Sequence, residues 1–200
     1  MHDLNLASSS HTRRHMLEAA GVAFRVVPAT VDEDAIRQSL ADHDHHGSAI
    51  RMAEVLARAK AEEVSRRFPG ALVIGADQIL ALDRQVFTKP ADLAAARDSL
   101  QRLSGHTHQL HSAVAIAVDG NQTWHHVDTA SLTMRTLSDA FLDDYLARAG
   151  ERVCASVGAY ELEGRGIQLF ERIEGDYFTI LGLPLLPLLG ELRRRGVLGN

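Results

Sequence analysis

A single cysteine, Cys154, stands among the 200 residues, so neither an intrachain disulfide nor a multi-cysteine zinc site can form. A lone cysteine is ordinarily inert packing. Nowhere does the chain reach the roughly 18 uninterrupted apolar residues of a membrane-spanning helix. The opening "MHDLNLASSS" has neither the basic patch nor the long apolar core of a secretion signal, and the expectation is a soluble cytoplasmic protein. Positive charge is not in excess: a formal net charge of -5 argues against a nonspecific nucleic-acid binder, since duplex-binding domains are basic overall. An anionic substrate must then be held by a few local cations. No G-x-x-x-x-G-K-[ST] or G-x-G-x-x-G phosphate loop is present, and no G-x-S-x-G elbow puts a serine on a strained turn. What the chain does have is 46% apolar residues, enough at this length for a real core in one large domain or two small lobes.

Hydrophobic patterning alternates strands and helices. "LNLA" reads as a short strand that breaks into "SSSHTRR", where Ser10 caps a helix carrying Met16, Leu17 and Ala20, and Gly21 stops it. "FRVVPA" is a second strand leading to the acidic turn "TVDED". In "SAIRMAEVLARAKAEEVSRRF", capped by Ser48, residues Ile50, Ala53, Ala57, Ala61 and Val64 form one apolar stripe with Lys60 beside it. The strand "ALVIGA", a hairpin at Leu82 to Gln85 and the helix "DLAAARDSLQRLSG" follow. "HQLHSAVAIAV" and "TASLTMRTL" flank the turn "DGNQ" as an antiparallel pair, and Ser138 caps the helix after them. A glycine-rich region precedes a last helix, "LLPLLGELRRRG". Two hairpins among alternating strands and helices predict a mixed rather than a purely parallel sheet.

Eleven histidines invite a metal reading. The run "HDHH" (His43 to His46) falls in a polar loop, where such a cluster is ordinarily solvated. In "HTHQLH" a strand would put His106 and His108 on one face and His111 on the other, so three convergent ligands are not expected. More telling are charges in unusual places. Three serines followed by Arg13 and Arg14 at a helix N-terminus offer N–H groups and guanidiniums to an anion, although a plain capped helix with solvent-facing arginines explains them equally well. A lysine such as Lys60, bordering an apolar stripe, usually snorkels to water. Asp77 ends a buried strand, where a carboxylate is costly unless paired or bound to metal. Lys89 is held extended by Pro90. Together with Glu33 these residues suit a metal-bound phosphate ester.

The same segments resemble the Maf nucleotide pyrophosphatases over nearly the whole chain. "LASSSHTRRHML" is similar to that family's L-A-S-x-S-x-x-R-R-x-L-L opening, "VDED" to its V-D-E turn and "VLARAKA" to its L-A-x-x-K-A helix. "VIGADQ" resembles its G-A-D strand, "TKP" its G-K-P element and "LSGHTHQ" its L-S-G-x-x-H, with "GAYELEGRG" and "IEGDYFTILGLPL" completing the order. The resemblance implies an elongated α/β fold, with a mixed sheet, flanking helices and two lobes of one domain around a deep cleft, as in inosine triphosphatase-like proteins, and often a homodimer. It implies Mg²⁺- or Mn²⁺-dependent hydrolysis of a nucleoside triphosphate to a monophosphate and pyrophosphate. By motif position Asp77 is the proton acceptor, Glu33 and Asp77 the metal site, and Lys60 and Lys89 the phosphate-binding lysines. Ser8, Ser10 and Arg13 fall in the phosphate-binding opening, and Thr12 at a position that separates substrate branches.

Within the family, Gln78 and Glu163 resemble the branch acting on 7-methyl-GTP rather than the dTTP/UTP branch, which carries Thr and Gln there. Thr12 departs from both, and Ser156 and Val157 replace a customary lysine-bearing K-A-G-A-Y. A carboxylate at Glu163 can accept two hydrogen bonds from the donor edge of a guanine made cationic by methylation. The readings left open are the dTTP/UTP activity, a phosphatase releasing orthophosphate, and a non-catalytic nucleotide-binding regulator of cell division.

Overall fold

Residues 3–43 and 49–199 are described in a computed structural model of the chain. The elements run β1 (Leu4–Leu6), α1 (His11–Ala19), β2 (Arg25–Val26), α2 (Glu33–His43), α3 (Ala49–Arg67), β3 (Leu72–Leu82), β4 (Gln85–Phe87) and α4 (Leu93–Leu103). Then come β5 (Thr107–Val118), β6 (Asn121–Met134), α5 (Asp139–Ala149), β7 (Phe170–Glu174), α6 (Tyr177–Ile180) and α7 (Leu185–Arg194). The strand order is β2-β1-β3-β5-β6-β7, with β4 against β3. Strand β1 is parallel to both β2 and β3, while β3 with β4 and β6 with β7 are antiparallel, so the sheet is mixed as the sequence predicts. Between β5 and β6 the two-residue link Asp119–Gly120 has φ of 50° and 80°, which fits a primed hairpin turn that only an antiparallel pair can use.

Local signals explain several boundaries. The side chain of Ser10 accepts from the Arg13 N–H and that of Ser138 from the Phe141 N–H, each capping its helix. Gly21, at φ 71°, ends α1. The expected cap Ser48 and most of the "HDHH" run lie outside the described residues. Along α3 the stripe of Ala53, Ala57, Ala61 and Val64 is fully buried, but Ile50, expected to join it, is exposed. That first turn lies beyond the part of the helix that covers the core.

The chain divides into two compact units at points inside β3, β5 and β6. The first comprises Met1–Gln78, His111–Asp128 and Asp176–Asn200. Leu4, Leu6, Ile74 and Ala76 pack there with Met16 and Leu17 of α1 and with Leu185, Leu188 and Leu192 of α7. Ala7 and Val73 pack with Val64 of α3. This alternation gives β3 two buried faces, and the small side chains on α3 let strand and helix come very close. A Cβ on Gly75 would lie 2.2 Å from the Ala57 carbonyl oxygen and 2.6 Å from the Ala61 nitrogen.

The second unit, Ile79–Leu110 and Thr129–Gly175, packs α4 beside α5, with Arg97 paired to Asp139 and Asp143 at 3.1 Å each. Its interior holds His108, Tyr160 and Phe170 as a ring cluster. His108 is 0% exposed, its Nε2 lies 2.8 Å from the Tyr160 hydroxyl, and its Nδ1 has no partner. Burial pushes its pKa down from 6.5 to about 4. The unfolded chain therefore binds a proton that the folded one refuses, and the stability His108 supports is complete above its unfolded pKa and drains away as pH falls toward the folded one. Urea melts between about pH 7 and pH 4 are expected to show a loss of about 3 kcal/mol from this group. The slope should shrink in a His108→Gln variant.

Candidate active site

Asp77 is 5% exposed although it lies within β3, and its side chain points at α3. A carboxylate can be buried there because Lys60, itself only 8% exposed, places its ammonium 2.5 Å from Asp77 Oδ1. The same ammonium sits 2.8 Å from Glu33 Oε1, so one cation bridges two carboxylates that are 44 positions apart (77 − 33). Glu33 stands in the first turn of α2, where the Asp32 side chain accepts from the Ala35 N–H at 2.9 Å and caps the helix. One turn on, Arg37 donates from Nη2 to Glu33 Oε2 at 2.9 Å and from Nη1 to Asp34 Oδ1 at 3.3 Å. Burial pushes the Glu33 pKa up, but hydrogen bonds and charge from Lys60, then Arg37, outweigh it and leave the carboxyl below its ordinary value. Glu33 is therefore ionised at neutral pH.

Two polar atoms of this cluster are buried without a partner: Asp77 Oδ2 and Arg37 Nε. An orphaned buried carboxylate oxygen costs about 1–3 kcal/mol or more, which fits an atom kept open for a ligand. Among the described residues no group of three or more His, Cys, Asp and Glu side chains could hold a metal. His106 is exposed, with Nδ1 2.8 Å from the Ser104 carbonyl, and His108 is occupied with Tyr160. Two carboxylates with a spare oxygen do suit a hard divalent ion that takes its remaining ligands from phosphate and water.

The opening segment meets β3 through Arg13. Its Nε donates to the Gly182 carbonyl at 2.8 Å, and its Nη1 donates to the Ala76 carbonyl at 2.9 Å and to Ser8 Oγ at 3.4 Å. Burial lowers the Arg13 pKa, while the charges of Asp77 and Glu33 raise it, so the guanidinium lies within the field of both carboxylates. The sequence left Arg13 and Arg14 open between an anion site and solvent-facing residues of a capped helix. Arg13 anchors backbone carbonyls with Nε and Nη1, and Arg14 makes a surface pair with Glu18 at 3.2 Å. Ser8 is buried, Ser10 caps α1, and Thr12 is half-buried in the first turn.

Gln78 follows Asp77 and so occupies the opposite face of β3. Its Nε2 donates to Ser112 Oγ at 3.0 Å and to the carbonyls of Thr179 at 3.1 Å and Ile180 at 2.9 Å. Ser112 Oγ gives its own proton to the Thr179 carbonyl at 2.7 Å, so it must accept from Gln78, and the amide orientation is fixed. Lys89 and Glu163 belong to the second unit and are exposed there. Sequence reasoning thus found Glu33, Lys60 and Asp77, which meet directly, and missed Arg37. The Glu-x-x-x-Arg spacing on one helix was the signal available for it.

The family model described as "Maf-like protein" matches residues 3–195. The chain is 56% identical over 195 residues to a protein of Rhizobium johnstonii named 7-methyl-GTP pyrophosphatase, covering 98% of this chain and 97% of that one. It is 55% identical over 193 residues to a nucleoside triphosphate pyrophosphatase of Paramagnetospirillum magneticum, covering 96% and 98%. A 7-methyl-GTP pyrophosphatase of Brucella abortus is 51% identical over 191 residues, covering 96% and 95%.

Proposed function

The chain belongs to the Maf-like protein family, and on that footing we propose that it hydrolyses a nucleoside triphosphate between the α and β phosphates, with 7-methyl-GTP as its preferred substrate. The products are the nucleoside monophosphate and pyrophosphate. The observation that carries this reading is the Lys60 bridge between Glu33 and Asp77, with the second oxygen of Asp77 left open. Polyphosphate anions repel an attacking water, so a catalyst must neutralise charge and hold the water in line.

Glu33 and Asp77 would hold a divalent cation, Mg²⁺ or Mn²⁺, which when bound supplies charge neutralisation and a more acidic water. Asp77, through Oδ2, accepts the proton of the water that attacks the α phosphorus. Lys60 stabilises the negative charge gathering on the departing pyrophosphate. Ser8, Ser10 and the N-terminus of α1 receive phosphate oxygens, and Arg13 adds positive charge there while fixing the middle of β3 at Ala76. In this reading Gln78 and Glu163 set the choice of base. Glu163 accepts from the donor edge of guanine, and Gln78, with its nitrogen committed to carbonyls, offers only its oxygen. No helix among the described residues is long and apolar enough to cross a membrane.

Arg37 grips the oxygen of Glu33 that Lys60 leaves, and Arg37→Met is expected to lower kcat/KM about 10- to 100-fold, as removing such supporting contacts does elsewhere. Initial rates of pyrophosphate release check it. The reaction itself is tested by assaying pyrophosphate and orthophosphate separately with 7-methyl-GTP, GTP, dTTP and UTP, with Mg²⁺ and with chelator. Metal-dependent pyrophosphate release, fastest on 7-methyl-GTP, is expected. A preference for dTTP or UTP would move the substrate, orthophosphate release would replace the reaction, and binding without turnover would make the chain a regulator.

A further inference from the structure

The position of the Lys60 ammonium raises a question that its phosphate-binding role leaves open. Its Nζ touches Glu33 Oε1 at 2.8 Å and Asp77 Oδ1 at 2.5 Å, so it lies between the two carboxylates that a divalent ion would use. It does not stand alone. Arg37 holds Glu33 Oε2 at 2.9 Å, and the Arg13 charge acts on both carboxylates. Three cations therefore already surround two anions. Asp34, which shares Arg37, is 97% exposed at its side chain and is screened by water. An ion entering without nucleotide can reach Asp77 Oδ2, but to draw on Glu33 Oε1 or Asp77 Oδ1 as well it must displace Lys60, and it does so against the charges of Arg37 and Arg13.

We propose that Lys60 is a resident counter-ion for Glu33 and Asp77, so that a divalent metal binds weakly to the nucleotide-free protein and tightly only together with the triphosphate. The incoming polyphosphate gives the ammonium new acceptors. Lys60 turns from the carboxylates to phosphate oxygens, Glu33 Oε1 and Asp77 Oδ1 are released, and the added negative charge reverses the balance that kept the ion out. The lysine thereby does two jobs in sequence: it satisfies the buried Asp77 when no ligand is bound, and it stabilises phosphate when one is. This proposal rests on the pyrophosphatase reading and adds to it an order of assembly.

The experiment is an Mn²⁺ titration followed by electron paramagnetic resonance, with and without an α,β-methylene analogue of 7-methyl-GTP, on the wild type and on Lys60→Met. In the nucleotide-free wild type Mn²⁺ is expected to bind weakly, with the analogue tightening it about tenfold or more, within the range of ordinary coupling between sites. In nucleotide-free Lys60→Met, Mn²⁺ is expected to bind about tenfold or more tightly than in the wild type and to raise the melting temperature, while the analogue adds less than it did before. Equal Mn²⁺ affinity in both nucleotide-free proteins overturns the proposal. Should Lys60→Met fold only with Mn²⁺ present, the gain in stability supports it. Wild-type titrations decide independently, because tight Mn²⁺ binding unaffected by the analogue also overturns it. Failure of the functional reading looks different: the wild type would release no pyrophosphate, whatever its Mn²⁺ affinity.

Discussion

Asp77→Asn is expected to slow pyrophosphate release by about 100- to 1,000-fold, the scale on which a preorganised catalytic contact acts, and to shift the melting temperature by only a few degrees. The two effects separate because of what surrounds the side chain. An amide matches the carboxylate in shape, and its oxygen can still accept from Lys60. Lys60 also keeps Glu33 at 2.8 Å, so no ammonium is left buried and unpaired. Loss of the Asp77 charge weakens the bridge but also removes the cost of burying a carboxylate, and these terms oppose each other. Catalysis has no such compensation. The open oxygen, Oδ2, becomes an NH₂ group that can neither take a proton nor ligate a cation. Rates measured under saturating metal, with melts on the same samples, check both halves. Turnover within about tenfold of wild type, well short of what such a contact supplies, would take Asp77 out of the mechanism.

Gly75→Ala is expected to destabilise the fold by about 3 kcal/mol or more, the range of overpacking in a rigid core. The new methyl would sit 2.2 Å from the Ala57 carbonyl oxygen, 2.6 Å from the Ala61 nitrogen and 2.9 Å from the Ala61 Cβ. Both backbone groups belong to α3, whose hydrogen-bonded ladder cannot yield locally, so the whole helix must move off β3. Lys60 lies in the turn between those two alanines and Asp77 two residues beyond Gly75 on the same strand face. The displacement should therefore lengthen the 2.5 Å ion pair as well as loosen the core. Urea unfolding and pyrophosphate release should both fall, in contrast with Asp77→Asn. A wild-type urea midpoint would show that helix and strand are not in such close approach.

Much of the architecture was legible because it is written in short-range signals. Ser10, Gly21 and Ser138 cap or stop helices through their own side chains or backbone, and the Asp–Gly pair at 119–120 makes a turn from two residues. Where the stabilising partner is distant in sequence, the reading fell short. The strand expected to end at Ala76 continues to Leu82, because Asp77 is not a terminator once Lys60 neutralises it. Helix α2, from Glu33 to His43, begins inside the acidic turn that the sequence shows, and Ile36 and Leu40, half-buried one turn apart, are the apolar spacing that signals it. In the glycine-rich region β7 and α6 are too short to announce themselves, and β7 exists by pairing with β6. The candidate site divides the same way. Glu33, Lys60 and Asp77 were each visible as costly or misplaced charges, but nothing local says that one ammonium meets both carboxylates. Arg37 looked like any surface residue until Glu33 gave it a role.

The Arg13 contacts also bear on how the protein is made. The middle of β3, at the Ala76 carbonyl, is pinned by a guanidinium whose other backbone acceptor is Gly182, and the neighbouring Gln78 amide is seated on the carbonyls of Thr179 and Ile180. A nascent polypeptide emerging from the ribosome has these two side chains long before it has their acceptors. The strand that carries Asp77 thus gains these contacts only after translation has passed residue 182.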